Sequence, residues 1–404
     1  MSQKVQTEKV RYNRMGQRIV SPDYLLFEAP RTKHFITGSE AVKEAAKRAS
    51  VDASISYPIT PQSEAAHMLG ELWREGYIGV YFRGESEFGV MSAIAGCAMA
   101  GARTLTTTSG PGTLRAMENF PMWAGSRLPI QLVLMARGIN SPLSIQPDNL
   151  EISFLLDTGC MVWHAETAQE LFDMIIAGFV VAEQPDVHVP LITAIDGFFI
   201  SHTREAVYLP PEDIALPPYD PYKAPMPVID MEVPPGRFMR DPFVMKSNYI
   251  SYATHASWQF EVRAAIERSR PYAKHYLRGL VEHFGDPEGE ILFIASGTAA
   301  AQAKEATQIL IHEEGIKARV LRIKTLRPFP TEEVREAVKG AKYIFIPEFN
   351  VVGWLEREVK RALYGYSDIP IFGTPRVGGG MTMPPEFIVQ EVLRIIGKEV
   401  KHVS

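Results

Sequence analysis

The ends of three predicted β-strands in this sequence are followed by side chains of chemically useful types. Thr60 offers a hydroxyl, Glu85 and Glu87 offer carboxylates, and Arg137 offers a guanidinium. The carboxyl ends of parallel strands meet at one edge of a sheet, where open α/β sheets bind their ligands. An arginine at this edge can hold a carboxylate through two parallel hydrogen bonds, and a hydroxyl at a helix start suits an anion. The sequence therefore predicts a site for an anionic ligand.

Each of these side chains also has a plainer explanation. Thr60 could simply cap a helix that has Pro61 at its first position. Acidic residues are common at helix starts, where they offset the helix dipole. Arg137 could form a salt bridge with Asp148 or Asp157. Taken one at a time, the residues leave these alternatives open.

The two carboxylates lie at the start of a predicted helix of small residues. Glu85 and Glu87 are two positions apart, which is about 200° around a helix, so at most one side chain points inward. Glycine and alanine dominate residues 93–102, and we expect this helix to be closely packed and buried. The stretch 109–113 (Ser-Gly-Pro-Gly-Thr) lacks the pattern of a phosphate-binding loop and predicts a tight turn with close backbone approach.

Other polar residues favour a structural role. The turn Ser296–Thr298 could cap a helix or hold an anion, and capping is the favoured interpretation. The histidines have no paired spacing typical of a metal site, and Cys97 and Cys160 are too few for an iron–sulfur cluster, which needs about four ligands. We assign no metal ligand to this chain.

Apolar runs alternate with helical patterns along the chain, which is typical of parallel βαβ units. In the first part, the predicted strands are 53–57, 80–82, 104–108, 130–135, 161–164 and 189–195, and the predicted helices are 61–74, 87–100, 113–124 and 167–183. In the second part, the predicted strands are 291–295, 319–323 and 343–347, and the predicted helices are 257–284, 299–314, 331–338 and 354–363.

This organisation predicts the α/β class, with two open parallel-sheet domains. The predicted units are an N-terminal arm (1–34), a first domain (35–208), a proline-rich connector (209–256) and a smaller second domain (257–404). The arm is polar and is expected to lie on a partner chain. The connector is too rich in proline for a helix or a central strand. The glycine-rich stretch 378–385 is expected to be a flexible loop or an interface segment.

Composition narrows the class of protein. The chain has 404 residues and a formal net charge of −5, without an extended basic run, which argues against a nucleic-acid partner. No apolar stretch approaches the roughly 20 residues that a membrane span needs. The first residues lack the apolar core of a signal peptide. We therefore expect a cytoplasmic protein with no membrane span.

Several motifs, in their order, resemble the α subunit of 2-oxoacid:ferredoxin oxidoreductases. They are Tyr57-Pro58-Ile59-Thr60-Pro61, Glu85-Ser86-Glu87, Ala100-Gly101-Ala102-Arg103, Thr107-Thr108-Ser109-Gly110-Pro111-Gly112, and Ala136-Arg137 with Ser144-Ile145 and Asp148. Residues 157–159 and 197–203 resemble the pyruvate branch. The resemblance covers about residues 35–395. It implies a thiamine diphosphate-binding domain of the pyrimidine type, followed by a transketolase C-terminal-like domain.

The resemblance also implies roles for individual residues. Glu87 matches the glutamate that hydrogen-bonds the aminopyrimidine ring of the cofactor and activates it. Thr60 and Arg137 match the pair that holds the 2-oxo acid. Pro58 and Ile59 match positions that line the cofactor.

The family further implies an assembly of several chains. Magnesium and the diphosphate are held in such enzymes by a Gly-Asp-Gly motif with a later asparagine, whereas this chain offers only Gly285-Asp286-Pro287. The resemblance therefore implies that Mg²⁺ and the [4Fe-4S] clusters belong to partner subunits: a β subunit that shares the cofactor, a γ subunit and a ferredoxin-like δ subunit. Coenzyme A is the implied co-substrate, ferredoxin the electron acceptor and pyruvate the expected 2-oxo acid. Gln146-Pro147 departs from the family pattern and leaves the substrate open.

Two other readings compete with this one. The β subunit of a lipoyl-linked 2-oxoacid dehydrogenase joins the same two kinds of domain. A non-catalytic module that binds a nucleotide or coenzyme A could share the doubly wound fold. The motif around Thr60, together with Arg137, favours the ferredoxin-linked enzyme.

Overall fold

A computed structural model describes residues 10–140, 143–221 and 257–397. In the first part of the chain, strands β1 to β10 are Arg18–Ile19, Thr32–Ile36, Ala53–Ser56, Val80–Arg83, Leu105–Thr108, Gln131–Ala136, Met161–His164, Leu191–Asp196, Glu205–Leu209 and Ile214–Ala215. Helices α1 to α7 are Gly38–Arg48, Ser63–Arg74, Glu87–Met99, Pro111–Arg115, Asn119–Gly125, Leu150–Leu155 and Ala168–Ala182, and a π-helical turn spans Tyr24–Glu28.

The second part of the chain contains the remaining elements. Strands β11 to β16 are Val281–Gly285, Ile291–Ala295, Ala318–Ile323, Thr325–Arg327, Tyr343–Phe345 and Ile371–Phe372. Helices α8 to α13 are Ser257–Arg268, Arg270–Tyr276, Thr298–His312, Thr331–Ala337, Trp354–Leu363 and Pro385–Ile396.

The larger sheet has the strand order β14–β7–β8–β6–β5, and all its pairs are parallel except β14 with β7. The parallel pair β3–β4 lies beside β5 and is joined to it by a bridge between Ala53 and Thr104. Strands β6 and β8 are buried along their whole length, because helices cover both faces of the sheet. The carboxyl ends of β3, β5 and β6 therefore lie along one edge.

The smaller sheet has the order β11–β13–β12–β15–β16 and is parallel except for the edge strand β11. The predicted α/β class is confirmed. The predicted helix at 257–284 is wrong beyond residue 276, because Gly279, at φ +109°, leads into a strand that pairs with β13. Each of the two sheets is thus predominantly parallel, with one antiparallel edge strand.

The two parts of the chain are joined by apolar contacts and by strand β14. A single cluster of buried side chains contains Leu134 and Val162 from the first part together with Leu292 and Leu326 from the second. Strand β14 lies in the second part of the chain, yet it pairs with β7 of the larger sheet. The second part therefore completes the sheet of the first.

Two helices differ from their predicted bounds. Helix α2 begins at Ser63, so Thr60 does not cap it and Pro61 is not its first residue. The Thr60–Pro61 peptide is cis, and the turn is held instead by Gln62, whose amide donates to the carbonyl of Tyr57. The helix expected at 113–124 is two short helices, α4 and α5.

The expected N-terminal arm also differs from its prediction in the part that is described. Strand β1 pairs with β10 of the same chain, and Leu25 and Leu26 are buried in its core. Strand β2 crosses the boundary predicted at residue 34 and pairs with β9. Residues 10–34 thus pack on their own chain, where a partner chain was expected.

The helix expected to be buried is buried on one face only. Helix α3 buries one face, but Phe88, Ser92 and Gly96 on its other face are exposed. The connector predicted at 209–256 is described only as far as residue 221, and the rest lies outside the described residues. Within the described ranges, no helix has the length and apolar character that crossing a membrane requires.

Candidate active site

Glu87 is the first residue of helix α3, and its carboxylate is buried. Ser86 caps the helix, since its hydroxyl accepts a hydrogen bond from the N–H of Gly89 at 3.3 Å. Glu87 is 6% exposed, whereas Glu85 is exposed to solvent. Only one of the two carboxylates points inward, in agreement with the helical spacing.

The turn after β5 lies directly against Glu87. A β-carbon at Gly112 would come within 2.8 Å of Glu87 Oε1 and of Thr108 Oγ1, so only glycine allows this approach. The predicted tight turn is therefore present. The hydroxyls of Thr108 and Thr113 beside it are buried and have no hydrogen-bond partner among the described residues.

The carboxylate of Glu87 accepts no hydrogen bond from the described residues. Its nearest cation is the exposed Arg115, whose Nε lies 3.9 Å from Oε2. Buried carboxylates are normally paired with a donor or a cation. The Glu87 carboxylate is consequently a buried acceptor that has no hydrogen-bond donor within the described part of this chain.

Arg137 follows β6, is 5% exposed and is held by backbone carbonyl groups. Its Nε donates to the carbonyl of Thr60 at 2.8 Å, and its Nη1 donates to the carbonyls of Gly138 and Ser144, both at 2.9 Å. Burial lowers the pKa of the guanidinium from its ordinary value, and the nearby carboxyl of Glu151 opposes that shift. Nη2 donates to no acceptor among the described residues.

The alternative salt bridges of Arg137 are absent from the described ranges. Asp148 accepts backbone N–H groups, and Asp157 lies 3.7 Å from Arg327. Arg137 has no carboxylate within 4.0 Å in the described part of the chain. It is thus a buried cation that no described side chain neutralises.

The structure brings the remaining predicted residues to the same edge. The backbone carbonyl of Thr60 contacts Arg137, while Thr60 and Pro58 are exposed and Ile59 is half-buried. A β-carbon at Gly110 would lie 2.9 Å from Arg137 Nε, just as one at Gly112 would touch Glu87. The 109–112 turn therefore separates the carboxylate from the guanidinium.

Two buried residues of the site were not predicted. Gln62 accepts a hydrogen bond from the hydroxyl of Thr107 at 2.5 Å, which ties the Thr60 turn to β5. Glu151 Oε1 accepts the N–H groups of Gly110 at 3.0 Å and of Arg137 at 2.9 Å. Burial raises the pKa of Glu151 to about 8. Neither residue has a sequence signal, because their partners are distant backbone or hydroxyl groups.

The candidate site lies at the sheet edge where β3, β5 and β6 end. Two cavities of about 680 and 660 Å³ lie elsewhere, and neither is lined by Glu87 or Arg137. No group of three or more histidine, cysteine or acidic residues in the described ranges could hold a metal ion. The turn Ser296–Thr298 does receive an anion, and it is the carboxylate of Asp196 from the first part of the chain.

Two family models together match most of this α/β chain. The family described as pyruvate flavodoxin/ferredoxin oxidoreductase, thiamine diphosphate-binding, matches residues 44–269, and the pyruvate:ferredoxin oxidoreductase core domain II matches residues 289–387. The chain belongs to the 2-oxoacid:ferredoxin oxidoreductase family, which confirms the resemblance seen in the sequence and sets the two competing readings aside.

Named relatives match over most of their length. The chain is 32% identical to pyruvate synthase subunit PorA of Methanothermobacter thermautotrophicus, over 89% of this chain and 94% of the relative. It is 31% identical to PorA of Thermotoga maritima, over 87% and 92% of the two chains. It is 30% identical to ketoisovalerate oxidoreductase subunit VorA of Pyrococcus horikoshii, over 92% and 94%.

Solved structures share the fold. A 2-oxoglutarate:ferredoxin oxidoreductase from Magnetococcus marinus matches with a TM-score of 0.70 and 20% identity, over 91% of this chain and 66% of that chain. A split-gene transketolase, described as an inactive β4 tetramer, matches with a TM-score of 0.53 and 15% identity, over 90% and 99%. The expected relation to transketolase-type folds is thereby confirmed.

Proposed function

We propose that this chain is the α subunit of a 2-oxoacid:ferredoxin oxidoreductase and that it supplies half of the active site. The enzyme would oxidatively decarboxylate a 2-oxo acid, with pyruvate as the expected substrate, to acyl-coenzyme A and CO₂, and electrons would pass to ferredoxin. The buried carboxylate of Glu87, which lacks a described hydrogen-bond donor, carries this proposal.

The residues at this edge fit the aminopyrimidine half of thiamine diphosphate. Glu87 is an acceptor in need of a donor, and Gly112 leaves no side chain over it. The hydroxyls of Thr108 and Thr113 are buried, with no hydrogen-bond partner in the described part of the chain. When bound, the cofactor would supply the carbanion-stabilising chemistry of the decarboxylation. Glu87 would hold a proton at the ring nitrogen, which tunes the cofactor's basicity. Pro58 and Ile59 would line the ring.

Arg137 and Thr60 would hold the 2-oxo acid. The guanidinium is fixed through Nε and Nη1, so Nη2 remains to donate to the substrate carboxylate. The exposed hydroxyl of Thr60 would donate to the same group or to the carbonyl oxygen. This carboxylate leaves as CO₂, so these contacts should orient the substrate without holding its ground state more tightly than its transition state.

The remaining half of the site would belong to partner subunits. Without a Gly-Asp-Gly motif followed by an asparagine, the chain has no sequence signal for the Mg²⁺–diphosphate site. A β subunit would hold Mg²⁺, the diphosphate and [4Fe-4S] clusters, and γ and ferredoxin-like δ subunits would complete a cytoplasmic assembly that uses coenzyme A. The exposed face of helix α3, which contains Phe88, Ser92 and Gly96, is available for such a partner.

The test is Glu87→Gln in the complex copurified with its partners. An amide cannot hold the ring proton as a carboxylate does, so we expect proton exchange at C2 of bound thiamine diphosphate to slow by about 10²-fold or more. Nuclear magnetic resonance of quenched samples measures the exchange. Glu85→Gln, at the exposed neighbouring carboxylate, is the control and should exchange normally. Normal exchange in the Glu87 variant would refute the proposed role.

A further inference from the structure

A glycine-rich loop of the second domain touches the loop that follows Arg137. The carboxylate of Asp148 divides its oxygens between two backbone groups: Oδ1 accepts the N–H of Leu150 at 2.9 Å, and Oδ2 accepts the N–H of Gly379 at 2.8 Å. Asp148 is buried, and charge-assisted hydrogen bonds in such surroundings are stronger than neutral ones. The two loops are therefore tied together at a defined position.

The neighbouring glycine presses on the same loop with its backbone. Gly380 has φ +94°, and a β-carbon there would come within 2.6 Å of Gln146 Cβ and 2.8 Å of Ser144 Oγ. Backbone-to-loop contact this close leaves no room for a side chain at residue 380. The glycine-rich stretch noted in the sequence is thus an interface segment.

The loop under this contact closes on the guanidinium of Arg137. The carbonyl of Ser144 accepts from Arg137 Nη1 at 2.9 Å, and the hydroxyl of Ser144 accepts the N–H of Gln146 at 3.1 Å. The carbonyl of Gln146 in turn accepts the N–H of Gly138 at 3.3 Å. A shift of Ser144 would therefore rotate the guanidinium and move its Nη2.

We propose that the Gly379–Gly380 segment of the second domain is a positioning element that sets the direction in which Arg137 meets the 2-oxo acid. The inference rests on the proposed role of Arg137 and adds that this role depends on the second domain. A small displacement of the Arg137 guanidinium would weaken its hydrogen bond to the substrate, because that bond depends on its geometry. The segment therefore acts on substrate recognition without touching the substrate.

The test is Gly380→Ala in the copurified complex, with KM and kcat measured for pyruvate. The added methyl displaces Ser144, so we expect KM to rise by about tenfold while kcat changes little, the pattern of lost binding common to ground and transition states. Gly340→Ala is the matched control, because Gly340 also has a positive φ (+78°) but has no atom within 4 Å of its would-be β-carbon. Its KM should stay unchanged.

Arg137→Lys separates this inference from the proposed function. Lysine cannot reproduce the planar contact, so KM should rise, and adding Gly380→Ala to it should raise KM no further. If Arg137→Lys raises KM but Gly380→Ala leaves KM unchanged, the positioning role is wrong and the proposed function stands. The same conclusion follows if the effects of the two substitutions on KM simply add in the double variant. If Arg137→Lys leaves KM unchanged, the proposed role of Arg137 itself is wrong.

Asp148→Asn tests the positioning role of the Gly379–Gly380 segment if the Gly380 variant fails to assemble. The asparagine keeps the size of the side chain but loses the charge that strengthens the bond to Gly379. We expect KM for pyruvate to rise by about two- to fivefold at nearly constant kcat. An unchanged KM in this variant would overturn the inference.

Discussion

Arg137 and Glu151 show how single residues are held at the candidate site. Backbone carbonyls surround the Arg137 guanidinium, which leaves its charge unneutralised by any described side chain, while Glu151 accepts two backbone N–H groups with one oxygen. The other oxygen of Glu151 is buried and has no hydrogen-bond partner within the described ranges. Burial favours the neutral carboxyl, which is why the pKa of Glu151 rises to about 8.

Glu151→Gln should change how stability depends on pH. In the unfolded chain, Glu151 loses its proton above the ordinary glutamate pKa of about 4.5, whereas in the folded chain it keeps that proton up to about pH 8. The contribution of this group to stability is therefore full below about pH 4.5 and is lost as the pH rises to about 8. Glutamine cannot ionise and retains an oxygen for both N–H groups. The variant's thermal midpoint should therefore fall less between about pH 6 and about pH 8.5 than that of the wild-type complex.

Thermal melts at the two pH values measure this difference. Glu118→Gln, at an exposed glutamate, is the control and should retain the wild-type pH dependence. An unchanged pH dependence in the Glu151 variant would mean that Glu151 is ionised in the folded protein.

Residue type and strand position were enough to place Glu87 and Arg137 at one edge, because strand ends in a parallel sheet converge. The partners of Arg137 could not be predicted from the sequence. The expected partners were carboxylates, whereas the observed acceptors are backbone carbonyls. Gln62 and Glu151 were missed for the same reason: a buried side chain that serves distant backbone groups has no local pattern.

At the scale of elements, helix α10 is capped from another domain. Its N-cap residue, Gly297, has no side chain, and Asp196 at the end of β8 instead accepts the N–H and the hydroxyl of Thr298, both at 2.6 Å. His164 at the end of β7 contacts Ser296 Oγ at 3.0 Å, and burial lowers its pKa, which favours the neutral imidazole. The junction between the domains is therefore polar at this point and specific in geometry.

Asp196→Ala should weaken this junction. The change removes both acceptor contacts and leaves the helix start without a cap, which typically costs about 1–3 kcal/mol of stability. The urea midpoint of the complex should fall accordingly. Asp196→Asn, which keeps one oxygen, should lose less, and Asp368→Ala, at an exposed aspartate, should lose nothing measurable. Equal midpoints for all three variants would contradict the capping role.

The elements differed in how well they could be predicted from the sequence. The central strands were predicted to within a few residues, because strands buried on both faces form continuous apolar runs. Helix α1 was missed even though Thr37 and Glu40 form a capping box, a signal present in the sequence. The start of α2 was misplaced because Pro61, a residue type common at the first helical position, instead lies in the turn before Ser63.

At the scale of the whole molecule, the proposed half of an active site leads to a prediction for the isolated chain. We expect the isolated chain to bind thiamine diphosphate weakly or not at all, because a bound cofactor would lack its Mg²⁺–diphosphate ligands. Calorimetry with thiamine diphosphate and Mg²⁺ on the isolated chain, beside the copurified complex, is the measurement. Tight, Mg²⁺-dependent binding by the isolated chain would contradict the shared site.

The antiparallel strand β14 has a consequence for synthesis of the chain. Residue 325 pairs with residue 163, so the larger sheet cannot be finished until most of the polypeptide has left the ribosome. Until then one edge of β7, which contains the buried Val162 and Trp163, has no strand paired with it. Such distant pairing slows folding and leaves a template for unwanted strand pairing. The nascent chain should therefore need protection during translation, long after its first domain has been synthesised.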